Sequence, residues 1–466
     1  MNKRELEKKI LAYALDNAVS HNGKAVAGSV VNHLFREGLR KEDLKNIMPL
    51  IQRVVNEVNN MELDKQREKL DSLNIGLKKF EQKEKTLLEL PNVSNKMIFR
   101  LAPYPSGDLH IGNAKTYILN ALYAEKYRAK TLLIIDDTIG SKEKSIVPEA
   151  YDLIPESFDW LKIGYEKPII YKSDRLEIYY KYAESIIGLG HAYVCTCSAE
   201  VMRKNRAEGK ECACRNLNKN EQKQRWKSMF KMKEGQATLR IKTDMKHPNP
   251  AFRDRVLFRI SERSHPRVKT KYRVWPMLEF SWAIDDHLLG ITHIIRGNDL
   301  VIETYMERFI WKIFKWDDKT ILHGGFLEIE GVKLSKSKAQ HEVKTGKFTG
   351  WDDPRTWSIH SLKKRGFKPE SLRQFIFDIG LNQHDITVPV DALYSINRKM
   401  IDHESERYSF VEEPVKLNIN NLPKEISVPV HPEKDQKRKI NVGKSIYIAK
   451  KDFDMLNGKE IRLMHL

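Results

Sequence analysis

The sequence predicts an α/β fold organised around a parallel sheet, because three short apolar segments each run into a loop with polar side chains. These segments are residues 97–101, 131–135 and 291–295, and helical periodicity follows the first of them up to residue 127. Strands that alternate with helices pair in parallel, and ligands bind at the carboxyl ends of such strands. We therefore expect a functional site in the loops that follow these segments.

Residues 1–95 precede the predicted sheet and are predicted to be helical throughout. Apolar residues recur at helical spacing in residues 6–14, 30–35 and 44–58, whereas residues 61–85 are rich in charge. Because this part of the sequence carries no cluster of catalytic residue types, we interpret it as an appendage for docking.

The loop after the first strand leads into a helix at His110-Ile111-Gly112-Asn113. A helix N-terminus carries free N–H groups and partial positive charge, which suit a phosphate. Gly112 leaves space for a ligand, and His110 and Asn113 face the same side of the helix. The alternative is that His110 and Asn113 only cap the helix.

A second candidate for phosphate binding lies far downstream, at Lys333-Leu334-Ser335-Lys336-Ser337. Lysines on a mobile loop can clamp a triphosphate while pyrophosphate leaves. The alternative is a solvated run of charge on the surface.

Polar residues follow the other two strands. Asp136 and Asp137 come after the second strand, where a carboxylate can bind an ammonium group or can cap a helix and a turn. Arg296 follows the third strand and can form a bidentate pair with a substrate carboxylate. The alternative for Arg296 is a salt bridge to Asp285 or Asp286.

Residues 190–273 are interpreted as an insertion, because apolar periodicity weakens there and charge rises. The segment contains all the cysteines as two Cys-x-Cys pairs, which predict a structural tetrahedral zinc site; the alternative is reduced structural thiols. The predicted ligands are Cys195, Cys197, Cys212 and Cys214. Basic residues surround them, at Arg203, Lys204, Arg206, Lys210, Arg215, Lys219, Lys223 and Arg225.

Composition indicates a globular protein with a polyanionic partner. The 466 residues suggest two to four domains, and 82 Lys and Arg against 63 Asp and Glu give a net charge of +19. Such an excess favours phosphate neutralisation, although a basic proteome or salt adaptation would also produce it. The start of the sequence is charged and no apolar run is long enough to span a membrane, so we expect a cytoplasmic protein.

The C-terminal part changes character twice. Residues 323–410 contain the lysine-rich loop and helical stretches such as 369–380. From residue 411 onward, apolar and polar positions alternate at 415–422, 426–430 and 445–450, which predicts β-strands there.

Several motifs together resemble the class I aminoacyl-tRNA synthetases, and specifically glutamyl-tRNA synthetases of the archaeal and eukaryotic type. The motifs are RLAPYPSGDLHIGN, IIDDT, AIDDHLLGITHIIRGND, EGVKLSKSK and GWDDPRTW, in family order. The resemblance implies a Rossmann-like catalytic domain at 96–322 that is interrupted by an acceptor-stem insertion at 190–273. It further implies a stem-contact region at 323–410 and part of an anticodon-binding β-barrel at 411–466, whereas residues 1–95 resemble an extra N-terminal domain that could contact tRNA.

The resemblance also implies an activity, namely ATP-dependent ligation of glutamate to tRNA through glutamyl-adenylate, with Mg²⁺ beside ATP. The implied catalytic residues are His110, Asn113, Lys333 and Lys336. The implied ATP-binding residues are His110, Gly112, Asn113, Gly297, Asp299 and Lys336. The implied glutamate-binding residues are Arg100, Ala102, Asp136, Leu278 and Arg296. Some members carry zinc in the insertion, and its basic run then becomes a predicted phosphate track for tRNA.

Two residues depart from the family pattern. Ile134 stands where many relatives have an arginine, and Leu278 stands where relatives often have a tyrosine, for which Tyr104 or Trp282 could compensate. The alternatives are a glutaminyl-tRNA synthetase, which Arg296 disfavours, and a non-catalytic tRNA-binding paralogue. The expected partners are tRNA-Glu, tRNA-Gln as a further candidate, and a separate chain that would complete a short or split anticodon-binding region.

Overall fold

The computed structural model describes residues 3–20, 23–73, 85–141, 145–332 and 336–456. The chain forms two compact units, Met1–Lys85 and Thr86–Leu466. The first unit consists of helices, which are α1 (Lys3–Ser20), α2 (Ala27–Arg36), α3 (Leu44–Asn59) and α4 (Leu63–Ser72).

The first unit has an apolar core of its own between these helices. Ile10, Val30, Ile51 and Val58 are fully buried in it, which confirms the helical stripes predicted in 6–14, 30–35 and 44–58. Gln66 is also fully buried, and its Nε2 donates hydrogen bonds to backbone carbonyl groups of the first unit.

The prediction of helix throughout residues 1–95 is wrong for residues 85–95, which form no regular element. Pro91 has no N–H group for a helix, and the next residue, Asn92, adopts a left-handed backbone with φ of 56°. Residues 74–84 lie outside the described part of the chain.

The second unit contains the remaining elements. In chain order they are β1 (Ile98–Leu101), α5 (Ile111–Tyr127), β2 (Lys130–Ile135), α6 (Ala150–Trp160), β3 (Glu166–Tyr171), α7 (Leu176–Leu189), β4 (Ala192–Cys195), α8 (Ala199–Glu208), α9 (Lys219–Met229), β5 (Thr238–Ile241), β6 (Val256–Ile260), β7 (Val274–Pro276), α10 (Leu278–Leu288), β8 (His293–Gly297), α11 (Val301–Phe314), β9 (Thr320–Gly324), β10 (Leu327–Ile329), α12 (Lys336–Lys344), α13 (Ile359–Lys364), α14 (Pro369–Ile379), β11 (Ile386–Val388), α15 (Val390–Ile401), β12 (Pro414–Asn418), β13 (Glu425–Pro429), β14 (Lys437–Asn441), β15 (Ser445–Ala449) and α16 (Lys450–Leu456).

The central sheet has five parallel strands in the order β3-β2-β1-β8-β9, which confirms the predicted α/β fold. The chain builds outward in one direction through β2 and β3 and then crosses to the other side of β1. A crevice forms where the order reverses, at the carboxyl ends of the strands. The strand predicted at 291–295 begins two residues later, because Thr292 precedes the ladder and its N–H donates to the Ile98 carbonyl oxygen.

The insertion between α7 and α10 folds around a second sheet, which is antiparallel in the order β4-β5-β6-β7. Trp226 on α9 packs at 5.3 Å between ring centroids against Phe258 on β6, and both side chains are buried. The insertion therefore has a core that local periodicity did not reveal, since its strands are short and its helices carry a wide charged face.

The C-terminal part is mainly helical from α12 to α15, and the strands β12 to β15 follow it as the sequence predicts, before the short helix α16. The predicted helix at 369–380 is α14, and two antiparallel pairs, β12 with β15 and β13 with β14, follow it. Strand β14 was missed because its sequence, KRKIN, lacks alternation of apolar and polar residues. Within the described residues, no helix is long and apolar enough to cross a membrane.

Candidate functional site

A cavity of about 1110 Å³ opens at the carboxyl ends of β1, β2 and β8. It brings together most of the residues predicted from sequence, namely Arg100, Ala102, His110, Gly112, Asn113, Asp136, Leu278, Arg296, Gly297 and Asp299. Lys333 lies outside the described residues, as does the side chain of Lys336, whose backbone begins α12. The structure therefore places one wall of the predicted phosphate site and leaves the position of the two lysines a prediction.

His110 caps the N-terminus of α5. Its Nδ1 accepts a hydrogen bond from the Asn113 N–H at 3.3 Å, so a neutral ring carries its proton on Nε2 as a donor. The Oδ1 atom of Asn113 is buried and has no hydrogen-bond partner among the described residues. Both side chains line the cavity, and the helix end adds partial positive charge, so this wall suits a phosphate. His110 therefore caps the helix, and this role does not exclude phosphate binding.

The loop before α5 is fastened to a segment more than two hundred residues downstream. The Ile359 N–H donates to the Leu109 carbonyl oxygen at 2.8 Å, and the Ile111 N–H donates to the Trp357 carbonyl oxygen at 3.3 Å. Gly107 has φ of 133°, and a Cβ atom there would lie 2.1 Å from the ring of Trp351. Backbone pairing and this close contact hold the helix N-terminus in place.

Two arginines at the far side of the cavity are each held by a buried carboxylate. Arg100 donates to Asp286 through Nε at 2.6 Å and through Nη2 at 3.2 Å. Arg296 donates to Glu307 through Nη1 at 2.9 Å and through Nη2 at 3.0 Å. Both arginines are 4% exposed, and both carboxylates are fully buried. The internal pairs fix the two guanidinium planes before any ligand binds.

The alternative that Arg296 pairs with Asp285 or Asp286 is wrong. Asp285 accepts from Arg175 at 2.8 Å and Asp286 from Arg100, whereas Glu307 on the next helix takes Arg296. The Nε atom of Arg296 is buried and has no hydrogen-bond partner among the described residues. A guanidinium has five N–H groups, so Arg296 keeps a donor for a ligand in the cavity.

The indole of Trp282 lies between the cations of this wall. Its ring centroid is 4.3 Å from Cζ of Arg100 and 5.2 Å from Cζ of Arg296. Leu278 begins α10 and lines the cavity together with Tyr104 and Trp282, so both aromatic residues are near the position at which the family pattern has a tyrosine. Burial raises the pKa of Tyr104, which therefore stays a neutral phenol at physiological pH.

Two further predicted residues follow β8. Gly297 lacks a side chain, and a Cβ atom there would lie 2.3 Å from Asp299 Oδ1. A larger residue there would require the Asp299 carboxylate to move. Both residues line the cavity on the side of Arg296.

The four cysteines converge within the insertion. Their Sγ atoms all lie within 4.8 Å of one another, with 3.9 Å between Cys195 and Cys212 and 3.9 Å between Cys197 and Cys214. A tetrahedral site with zinc–sulfur bonds of about 2.3 Å has sulfur atoms about 3.8 Å apart, so the arrangement fits zinc.

The electrostatics of this cluster favour the thiolate at two of its four cysteines, Cys212 and Cys214. The hydrogen bond between two of the thiols lowers the pKa of Cys212 to about 5 and raises the pKa of Cys195. Arg225 Nη1 lies 3.2 Å from Cys214 Sγ and favours its thiolate. Thiolates are the form that binds zinc, and four protein ligands leave no open position for a substrate, so the site suits a structural role.

The basic run around the cysteines divides into two groups. Arg206, Arg215 and Arg225 are half-buried and donate to groups of the insertion itself. The other members are exposed, namely Arg203, Lys204, Lys210, Lys219 and Lys223, and Lys210 pairs with Glu208 at 2.8 Å.

Sequence reasoning missed three residues beside the cavity: Glu307, Asp286 as the partner of Arg100, and Lys172, which is fully buried 3.2 Å from Asp136. A signal for Glu307 exists in the sequence, because it is an acidic residue on the apolar face of α11. Nothing local marks Lys172.

Comparison with known proteins gives consistent matches over the whole chain. The family model described as tRNA synthetases class I (E and Q), catalytic domain, matches residues 96–403, and the corresponding anti-codon binding domain matches residues 405–466. A glutamate–tRNA ligase of Methanothermobacter marburgensis is 39% identical over 453 residues, which is 96% of this chain and 81% of that protein. Glutamate–tRNA ligases of Pyrococcus furiosus and Pyrococcus abyssi are each 42% identical, over 99% of this chain and 83% of theirs.

Proposed function

Because the chain belongs to the class I (E and Q) tRNA synthetases, we propose that it ligates glutamate to tRNA in two steps. The α-carboxylate of glutamate attacks the α-phosphate of ATP, which yields glutamyl-adenylate and pyrophosphate. A terminal ribose hydroxyl of tRNA then takes the glutamyl group and releases AMP. The protein contributes mainly position and charge.

The choice of glutamate rests on the two arginines that line the cavity. Arg100 and Arg296 are buried and oriented by Asp286 and Glu307, and donors outside these pairs remain for a ligand. Charge-assisted hydrogen bonds to a second carboxylate are stronger than those to a neutral amide, so this wall favours glutamate over glutamine. Asp136 at the end of β2 would accept the ammonium group, beside Ala102 and Leu278.

ATP would occupy the opposite wall. His110 and Asn113 would hold its phosphates at the N-terminus of α5, with Gly112, Gly297 and Asp299 around the nucleoside, and Mg²⁺ would accompany the phosphates. Lys333 and Lys336 would neutralise the leaving pyrophosphate.

Further assignments complete the proposal. Residues 190–273 would meet the acceptor stem through the exposed basic residues of the insertion, with a structural zinc ion at the cysteines. Residues 323–410 would contact the tRNA stem, and residues 411–466 would belong to the anticodon-binding region. The cytoplasm is the compartment in which a protein with these reduced thiols would act.

Pyrophosphate exchange and charging test the proposal directly. With tRNA present, glutamate should support ATP–pyrophosphate exchange and glutamine should not, and labelled glutamate should be joined to purified tRNA-Glu. Parallel charging of tRNA-Gln determines whether the chain serves both tRNAs. Exchange with glutamine alone would overturn the choice of amino acid, and tRNA binding without any charging would indicate a non-catalytic paralogue.

Metal content tests the zinc site. We expect about one zinc ion per chain in freshly purified protein, because four clustered thiolates bind this ion in preference to harder cations. The Cys197→Ser/Cys214→Ser variant should lose the ion and unfold at a lower temperature. A wild-type protein without metal in elemental analysis contradicts the assignment.

A further inference from the structure

Lys172 has no exposed surface and lies next to Asp136 because of the register of two strands. β2 and β3 run parallel with Ile135 opposite Tyr171, so the next residue of each strand, Asp136 and Lys172, meet at the end of the ladder. A buried ammonium group is costly unless it is paired, so a lysine in this position needs a partner.

The contacts of Lys172 are divided between charge and hydrogen bonding. Its Nζ lies 3.2 Å from Asp136 Oδ2, but its hydrogen bond goes to Ser281 Oγ at 2.8 Å. The ring centroid of Trp282 is 5.0 Å from the same Nζ. The other oxygen of Asp136, Oδ1, accepts from the Thr138 hydroxyl at 3.2 Å.

The charge on Oδ2 of Asp136 is therefore balanced by Lys172, and this oxygen can still accept a further hydrogen bond. It is buried, and apart from the Lys172 ammonium no group in the described ranges lies in position to donate to it. Asp136 lines the cavity and Lys172 does not, so the lysine stands behind the carboxylate as seen from the cavity. Ile134, two residues earlier on the same face of β2, is apolar, so β2 offers no cation of its own at this point.

We infer that Lys172 is a positioning residue that holds the Asp136 carboxylate so that Oδ2 accepts the α-ammonium group of the substrate. The inference rests on the proposed function, in which Asp136 contacts that group. A carboxylate that a cation holds from behind keeps its free lone pair towards the cavity, where it can accept a charge-assisted hydrogen bond from an ammonium group.

The test compares two ligands that differ in the ammonium group. Glutamate and glutarate both carry two carboxylates, but glutarate has no ammonium group. In the full chain, Lys172→Met removes the charge and keeps the length of the side chain. We expect it to weaken glutamate binding on the order of 100-fold in titration calorimetry, while glutarate binding changes by less than about threefold. Lys172→Arg should retain most of the preference for glutamate.

A purely structural role would give a different pattern, because loss of the fold weakens the binding of glutamate and glutarate equally. An equal loss of glutamate and glutarate binding overturns the inference, as does an unchanged preference for glutamate. If Lys172→Met does not fold, Ser281→Ala is tested instead. This variant removes only the hydroxyl group that accepts the hydrogen bond from the Lys172 ammonium group. Ser281→Ala should weaken glutamate binding by a smaller factor and leave glutarate binding unchanged. An unchanged preference for glutamate over glutarate would again overturn the inference.

Asp136→Asn separates this inference from the proposed function. If wild-type protein does not prefer glutamate over glutarate, or if Asp136→Asn keeps the preference, the role proposed for Asp136 fails. If Asp136→Asn loses the preference and Lys172→Met keeps it, only the role of Lys172 fails.

Discussion

Replacing Arg296 by glutamine should damage folding and glutamate binding together, and a second substitution should separate the two effects. Arg296→Gln removes the cation from a pair in which both partners are buried and Glu307 has no exposed surface. Glu307→Gln, added to it, removes the carboxylate that would otherwise stay buried alone. The double variant thus replaces an ion pair by two neutral amides.

The expected magnitudes follow from the geometry. Unit charges 2.9 Å apart attract by about 6 kcal/mol at an effective dielectric constant of about 20. Dehydration offsets part of this, so the loss of one partner should cost about 3–5 kcal/mol of unfolding free energy. Burial already raises the pKa of Glu307, so in Arg296→Gln the carboxylate takes up a proton at higher pH still. The double variant should recover about 2 kcal/mol or more, because neither amide carries a charge.

Glutamate binding should not recover in the same way. On the proposed function, loss of the charge-assisted hydrogen bond from Nε of Arg296 to the substrate carboxylate should lower kcat/KM for glutamate by about a hundredfold in both variants. Urea unfolding, followed by tryptophan fluorescence, measures stability, and ATP–pyrophosphate exchange with tRNA measures kcat/KM. Recovery of exchange together with stability in the double variant would refute a direct role of Arg296 in binding glutamate.

Two other expectations concern the loop before α5. The hydrogen bond to Asp108 raises the pKa of His360, so the stabilisation by protonated His360 is complete below the unfolded value of about 6.5 and is lost as the pH rises through the higher folded value. Unfolding free energy should therefore fall by on the order of 1 kcal/mol between pH 6 and 9 in wild type and not in His360→Gln; the same fall in the variant would contradict this. Gly107→Ala should cost about 2–4 kcal/mol and weaken ATP binding, because its Cβ meets Trp351 at 2.1 Å. A Gly107→Ala variant as stable as wild type in thermal unfolding would contradict this expectation, because it would show that the Trp351 ring can move aside without cost.

Local patterns in the sequence are sufficient for most elements and for much of the site. The apolar run before Pro103 becomes β1, the cap of α5 falls on His110, and two Cys-x-Cys pairs form one cluster. Each of these features depends on residues close together in the chain. Strand β14 was missed because its mostly exposed residues carry no local apolar pattern.

Contacts between side chains on different helices and strands could not be predicted from local sequence patterns. The sequence suggests Asp285 or Asp286 for Arg296 because they are near in the chain, but α10 directs them to Arg175 and Arg100. The actual partner, Glu307, is on α11, and only the position of this helix beside β8 determines the contact. Lys172 is found only from the register of β2 and β3, which no single stretch of sequence contains.

On the proposed function, the charges around Trp282 would let one cavity distinguish glutamate from glutamine. Arg100, Lys172 and Arg296 surround the indole within 4.3–5.2 Å, and each of these cations already has a buried carboxylate partner. The network is therefore neutral and fixed before the substrate arrives, so little reorganisation is needed when glutamate adds one ammonium group and two carboxylates. Glutamine would place its amide NH₂, which is itself a donor, against guanidinium N–H donors of the cavity wall. A buried donor left without an acceptor costs about 1–3 kcal/mol. On the proposed function, discrimination thus comes from the penalty on glutamine as much as from attraction to glutamate.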